Sequence, residues 1–290
     1  MGLPMTDPSG EPRSTPLLIR IAVKSPDEEE AQAAVHALRL RGTREVLLAA
    51  SRLCSSAHPR ERIVGAEILG QLGGDHPVFP EERFEILEAL VRSERDDPAV
   101  LGSACLSFGQ LHDSRACRSL SYLRIHPSSD VRFGVACGLL GYSDLDAIGT
   151  LIELSADSDE EVRDWATFGL GTQIDLDLPE IRAALFARLD DPNPEVRAEA
   201  LVGLARRKDP RALPVIVQRL QSPDLQLLDL EAATQAADSS LLALLRQIEL
   251  DPADEEGAQC LQDALRSCGG LLNSHSPSNN ATGLQEKSTN

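Results

Sequence analysis

Apolar residues recur along the chain at helical rather than strand spacing, and the pattern itself repeats. "DPAVLGSACLSFG" begins at Asp97, "SSDVRFGVACGLLG" at Ser128, "DEEVRDWATFGLG" at Asp159 and "NPEVRAEALVGLA" at Asn193. Their anchor valines, Val100, Val131, Val162 and Val196, are spaced 31, 31 and 34 residues apart. Fixed spacing of that size marks a tandem array in which each unit buries its apolar face against its neighbours. Weaker copies extend the array. "PRERIVGAEILGQLG" puts Glu61 in the anchor slot and "SPDLQLLDLEAATQ" puts Leu225 there, with more degenerate units at 27 to 41 and 254 to 267.

A second helical pattern lies between the anchor segments, as in "PEIRAALFARL" (179 to 189) and "DPRALPVIVQRL" (209 to 220). The turns joining the two read "DDP", "SSD", "DSDEE", "DDPNPE" and "DPADEE". Their side chains can cap the first N–H groups of a helix, and their carboxylates suit its positive end. The pattern therefore predicts an all-α fold, a right-handed α-α superhelix of about seven to eight antiparallel helix pairs over residues 14 to 269. Residues 1 to 13 and the Ser- and Asn-rich stretch 270 to 290 are expected to be disordered, because they hold too few apolar groups to offset the entropy of ordering.

In an anchor helix, offsets 0, 4, 7, 8 and 11 from the valine fall on one side at 100° per residue. In the Asp159 segment these are Val162, Ala166, Gly169, Leu170 and Gln173, the expected buried face, where Ala166 and Gly169 admit a close neighbour. Offset 6 points away from it, and along the array holds Glu67, Leu106, Cys137, Phe168, Val202 and Glu231. This row is apolar in four central units and acidic at both ends. Offset 2 places Phe133 beside it, and Trp165, at offset 3, falls on the flank, where packing and ligand contact are both open. The expected partner-binding site is Leu106, Phe133, Cys137, Trp165, Phe168 and Val202, with Asp164, Glu199, Glu67 and Glu231 as an acidic margin. An exposed apolar strip with aromatics and a charged surround suits a protein or peptide partner with apolar anchors and basic flanks.

The acidic turn, the Val-Arg start and the small residues before a Leu-Gly pair resemble HEAT repeats, particularly the HEAT-like units of phycobilisome lyases. The resemblance covers residues 95 to 221 well and most of 15 to 267 loosely. It implies that the second helix of each unit lines a concave surface. It also implies that Arg132, Arg163 and Arg197 form a row paired with turn acids such as Asp130, Asp159 or Asp191, stitching neighbouring units together, with Arg62 fitting less well. Such arrays serve many unrelated roles. The function expected is a non-enzymatic interaction scaffold or adaptor, and the alternative that the resemblance raises is a bilin or chromophore lyase or isomerase subunit.

Composition removes other classes. A formal net charge of −18 repels phosphate, so nucleic acid is not an expected ligand. Six cysteines without a CxxC pair read as reduced thiols in a cytoplasmic protein, and no apolar run is long enough to span a membrane. "MGLPMT" fits the loose myristoylation pattern at Gly2, and "NAT" at 280 to 282 is a glycosylation sequon. The six histidines show no HxxxH or HExxH spacing, and the His-Glu dipeptides by which the HEAT-repeat enzyme deoxyhypusine hydroxylase binds iron are absent. The acidic runs lack the glycine and distant glutamate of a calcium loop, and neither a phosphate-binding glycine loop nor a GxSxG elbow is found. No metal or cofactor is expected.

Overall fold

The computed structural model describes residues 11 to 94, 97 to 251 and 253 to 270. The myristoylation-like stretch, the sequon and the expected disorder at 1 to 10 and 271 to 290 lie outside the described residues. Residues 11 to 13, expected to be disordered with them, are tied down: Arg41 donates hydrogen bonds to the carbonyls of Glu11 and Arg13 at 3.1 and 2.7 Å.

Among the described residues the chain forms sixteen α-helices and no strand. They fall into consecutive pairs: α1 (Thr15–Lys24) and α2 (Glu28–Arg41), α3 (Arg44–Cys54) and α4 (Pro59–Gly70), α5 (Pro80–Ser93) and α6 (Pro98–Gly109), α7 (Arg115–Leu123) and α8 (Ser129–Gly138), α9 (Leu145–Leu154) and α10 (Glu160–Phe168), α11 (Pro179–Arg188) and α12 (Pro194–Arg206), α13 (Ala212–Leu220) and α14 (Leu227–Ala236), and α15 (Leu242–Leu245) and α16 (Glu255–Cys268). The fold is an α-solenoid built from such pairs. The chain divides into two compact units, Met1–Gly203 and Leu204–Asn290.

Within the first unit, α4, α6, α8 and α10 pack against one another in order, and α5, α7, α9 and α11 do the same beside them. The turns "DDP" and "DSDEE" cap their helices as expected, Asp97 and Asp159 each accepting first-turn backbone N–H groups, and Asp144 does the same for α9, whereas no side chain of "SSD" caps α8. Val100, Val131, Val162 and Val196 are completely buried. The small residues beside them bring backbone against backbone: a Cβ built on Gly134 would lie 2.8 Å from the Gly102 carbonyl oxygen, and one on Gly138 would lie 2.5 Å from that of Cys105. Cys54, Cys105, Cys117 and Cys268 are buried free thiols that act as small fillers, and burial pushes those of Cys54 and Cys105 up to about 12.

An arginine ladder joins the pairs. Arg132 donates Nε and Nη2 to the two oxygens of Asp157, both at 2.7 Å, and Arg163 does the same to Asp191 at 3.0 Å. Each arginine also reaches back to the turn before its own helix, Arg132 to the carbonyls of His126 and Pro127 and Arg163 to those of Asp157 and Ser158. Each carboxylate in turn accepts a backbone N–H of its own turn, Asp157 from Asp159 and Asp191 from Asn193. Of the expected partners, Asp191 holds its place, but Asp159 caps α10 and Asp130 lies within 3.4 Å of the Ser128 hydroxyl instead. The reason is geometric, since the acid that faces the preceding unit stands two residues ahead of the capping one. Arg62, expected to fit less well, joins the ladder in reduced form: it bonds the Ser56 carbonyl and pairs with Glu94 at 2.7 Å, an acid six rather than five residues before the next anchor.

In the second unit Arg219 clasps Asp229 at 2.8 and 2.9 Å, and Asp229 also accepts the Gln226 N–H. Lys208 caps α14 by donating to the Gln235 and Ala236 carbonyls. The end of α16 is pinned to the same helix by Ser267 and Cys268, which donate to Thr234 and Ala233 carbonyls.

Candidate binding face

Phe133 on α8 and Trp165 and Phe168 on α10 come together. Trp165 stands between the two phenylalanines, with ring centroids 6.0 Å from Phe133 and 5.8 Å from Phe168 and an interplanar angle of 82° in both pairs. Edge-to-face packing of this kind directs the positive ring edges at negative faces and fixes the orientation of all three rings. Their neighbourhood follows from helical spacing on α10 and from the close approach of adjacent inner helices, which carries Phe133 to within reach. All three side chains are half-buried, as is Cys137 one turn beyond Phe133, and Leu106 on α6 is 39% exposed.

Two expected members do not belong to this surface. Val202 and Glu199 on α12 are 4% and 5% exposed, so neither presents itself as an anchor or a rim. α12 is closely approached by the end of α10. There the helix widens into a π-turn over Gly169–Gln173, closed by the Ile174 N–H on the Gly169 carbonyl at 3.1 Å. A Cβ on Gly171 in this turn would lie 3.0 Å from the Glu199 carbonyl oxygen and 3.3 Å from Gly203 Cα, so this segment packs directly on α12 where Glu199 and Val202 sit.

The π-turn also corrects the register of the buried face. Gln173, expected inside, is exposed, and Ile174 is completely buried in its stead. One extra residue per turn delays every later side chain by one position. Nothing in the residue types around "GLGTQ" distinguishes a π-turn from continued α-helix.

The acidic margin is partial. Asp164 is half-buried beside the triad, while Asp130 and Glu161, neither of them expected in the margin, are exposed on the same two helices. Glu67, on α4, is half-buried; burial raises its carboxyl, and the guanidinium groups of Arg39 and Arg60 only partly oppose this. Glu231 belongs to the second compact unit.

Among the described residues, no three His, Cys, Asp or Glu side chains are grouped so as to hold a metal ion, and no helix is long and apolar enough to cross a membrane.

The sequence pattern of the HEAT repeats matches residues 148–237 and 182–268. Residues 148–268 carry HEAT repeats. Protein YibA of Escherichia coli K12 is 29% identical to it over 214 residues, which is 72% of this chain and 75% of YibA. The crystal structure of the E. coli protein superposes with a TM-score of 0.69 at 25% identity, covering 88% of this chain and 93% of the other. The structure of the CpcE and CpcF complex of phycocyanin lyase from Nostoc sp. PCC7120 matches at 17% identity with a TM-score of 0.46, over 91% of this chain and 98% of that one. That likeness is too loose to bear on activity.

Proposed function

We propose that this protein is a non-enzymatic scaffold or adaptor that binds a protein or peptide through the concave face of α6, α8 and α10. The observation that carries the proposal is the aromatic triad Phe133, Trp165 and Phe168, gathered and half-exposed in a chain with only 3% aromatic residues. Leu106 and Cys137 extend it along the row, and Asp164, Asp130 and Glu161 supply negative charge around it. Aromatic clusters ringed by polar groups carry most of the affinity in protein interfaces. The partner that fits is a helical or extended segment with apolar anchors flanked by Lys or Arg, drawn in by the −18 net charge.

The test is affinity capture from the native host with the wild-type chain and with Phe133→Ala and Phe168→Ala as baits, each first checked for an intact thermal melt. A protein retained by the wild type and lost from both variants supports the site. Equal retention by all three folded baits overturns it.

A further inference from the structure

The arginine ladder is interrupted between Arg62 and Arg132, and three features meet there. At the joint between the α5/α6 and α7/α8 pairs, Leu101 stands where Arg62, Arg132 and Arg163 stand in the other units, directly after the anchor residue. His126 occupies the place of Asp157 and Asp191, five residues before the anchor, and its Nδ1 accepts the Ser128 N–H as those carboxylates accept their turn N–H groups. Both halves of the clasp are thus replaced together. The neighbouring joints keep theirs, as Arg62 with Glu94 and Arg132 with Asp157.

The same joint is tight on one side and open on the other. On the inner side α6 and α8 meet through Gly102, Gly109, Gly134 and Gly138, which bring backbone against backbone. On the outer side a cavity of 1070 Å³ opens between α5 and α7, with Val91, Leu101, Tyr122 and His126 among its walls. Tyr122 at its edge is 80% exposed. The two outer helices are held at their N-terminal ends, where Arg115 pairs with Glu81 at 2.9 Å and lies 4.2 Å over the Phe84 ring. Exposed ion pairs of this kind are weak restraints.

We infer that this joint is a hinge built into the repeat array, with the glycine contact of α6 and α8 as its fulcrum and the cavity between α5 and α7 as the room in which it closes. Where two packed layers lack a directional clasp and one has space to move, shear and hinge motion needs little rearrangement. The hinge lies between Leu106 on α6 and Phe133 and Cys137 on α8, so its motion changes the spacing of apolar positions along the inner face. The inference does not depend on that face binding a partner.

Pulsed electron spin resonance on the full chain tests it, with nitroxides carried by genetically encoded residues so that the native cysteines stay intact. One labelled pair, at Arg92 and Tyr122, spans the cavity; a second, at Tyr122 and Glu153, spans the next joint, where Arg132 clasps Asp157. The hinge predicts a distance distribution at least twofold broader for the first pair. The double substitution Leu101→Arg with His126→Asp restores the clasp and should narrow the first distribution to the width of the second. Equal widths in the two pairs overturn the hinge, and this comparison requires neither substitution to fold. A double variant that keeps its helical melt but leaves the first distribution broad overturns the role of the missing clasp.

Discussion

Arg132 holds Asp157 through two parallel hydrogen bonds of 2.7 Å, from the start of one unit's second helix to the turn of the next unit. Both side chains are largely withdrawn from water, at 13% and 8% exposure. Replacing Arg132 by Leu leaves a withdrawn carboxylate without its counter-ion, and the expected loss is about 2–4 kcal/mol. Replacing both by Leu should cost less than that single change, because no charge is then stranded. Urea unfolding of the two singles and the double closes the cycle, and additive losses would show that the pair is not coupled.

The same clasps set the acid limit of the fold. Burial by itself would raise the carboxyls of Asp157 and Asp191, but the hydrogen bonds from Arg132 and Arg163 and from the turn amides outweigh it and hold both below their ordinary 3.8. A carboxyl whose folded value is depressed stabilises the fold above its unfolded value and ceases to do so as pH falls through the folded one. Stability should therefore be flat in this respect from neutrality to about pH 4 and fall below it. Asp157→Asn and Asp191→Asn should each flatten the fall while lowering stability at neutral pH. Urea midpoints measured from pH 7 to pH 3 check both signs.

Phe168 meets Trp165 edge-on while remaining half-exposed, so its truncation removes one aromatic pair and part of a buried ring rather than a core. Phe168→Ala should destabilise by about 1–2 kcal/mol, less than the about 3–5 kcal/mol of a core phenylalanine such as Phe108, which is completely buried. The emission of Trp165, the only tryptophan, should shift in the variant because its edge contact is lost. A loss equal to that of Phe108→Ala would remove Phe168 from the binding face.

Two glycines separate close packing from simple flexibility. A Cβ on Gly203 would lie 2.6 Å from Gly171 Cα, so Gly203→Ala must push two backbones apart and should cost about 1–3 kcal/mol. Gly149, inside α9, has nothing within 4 Å of such a Cβ, and Gly149→Ala should instead stabilise by about 0.5–1 kcal/mol through helix propensity. Thermal melts of the two variants should move in opposite directions.

The sequence by itself determined the repeat, the helices and the buried valines, because each rests on local chemistry repeated at a fixed interval: an acidic cap, a β-branched anchor and small residues at helical spacing. It also marked Phe133 and Phe168 as lying off the buried face, since that follows from the 100° rotation per residue. Tertiary structure decided what depends on the angle between helices. The partners of Arg132 and Arg163 stand in the next unit's turn, and which of two nearby aspartates faces them is set by how the units stack. The exchange of Gln173 for Ile174 comes from a π-turn that packs on α12 through Gly171, and the burial of Glu199 and Val202 on that helix is likewise a matter of how the helices stack. The gap at Leu101 and His126 was present in the letters all along, but it acquired meaning only once the clasp it interrupts had been seen in three dimensions.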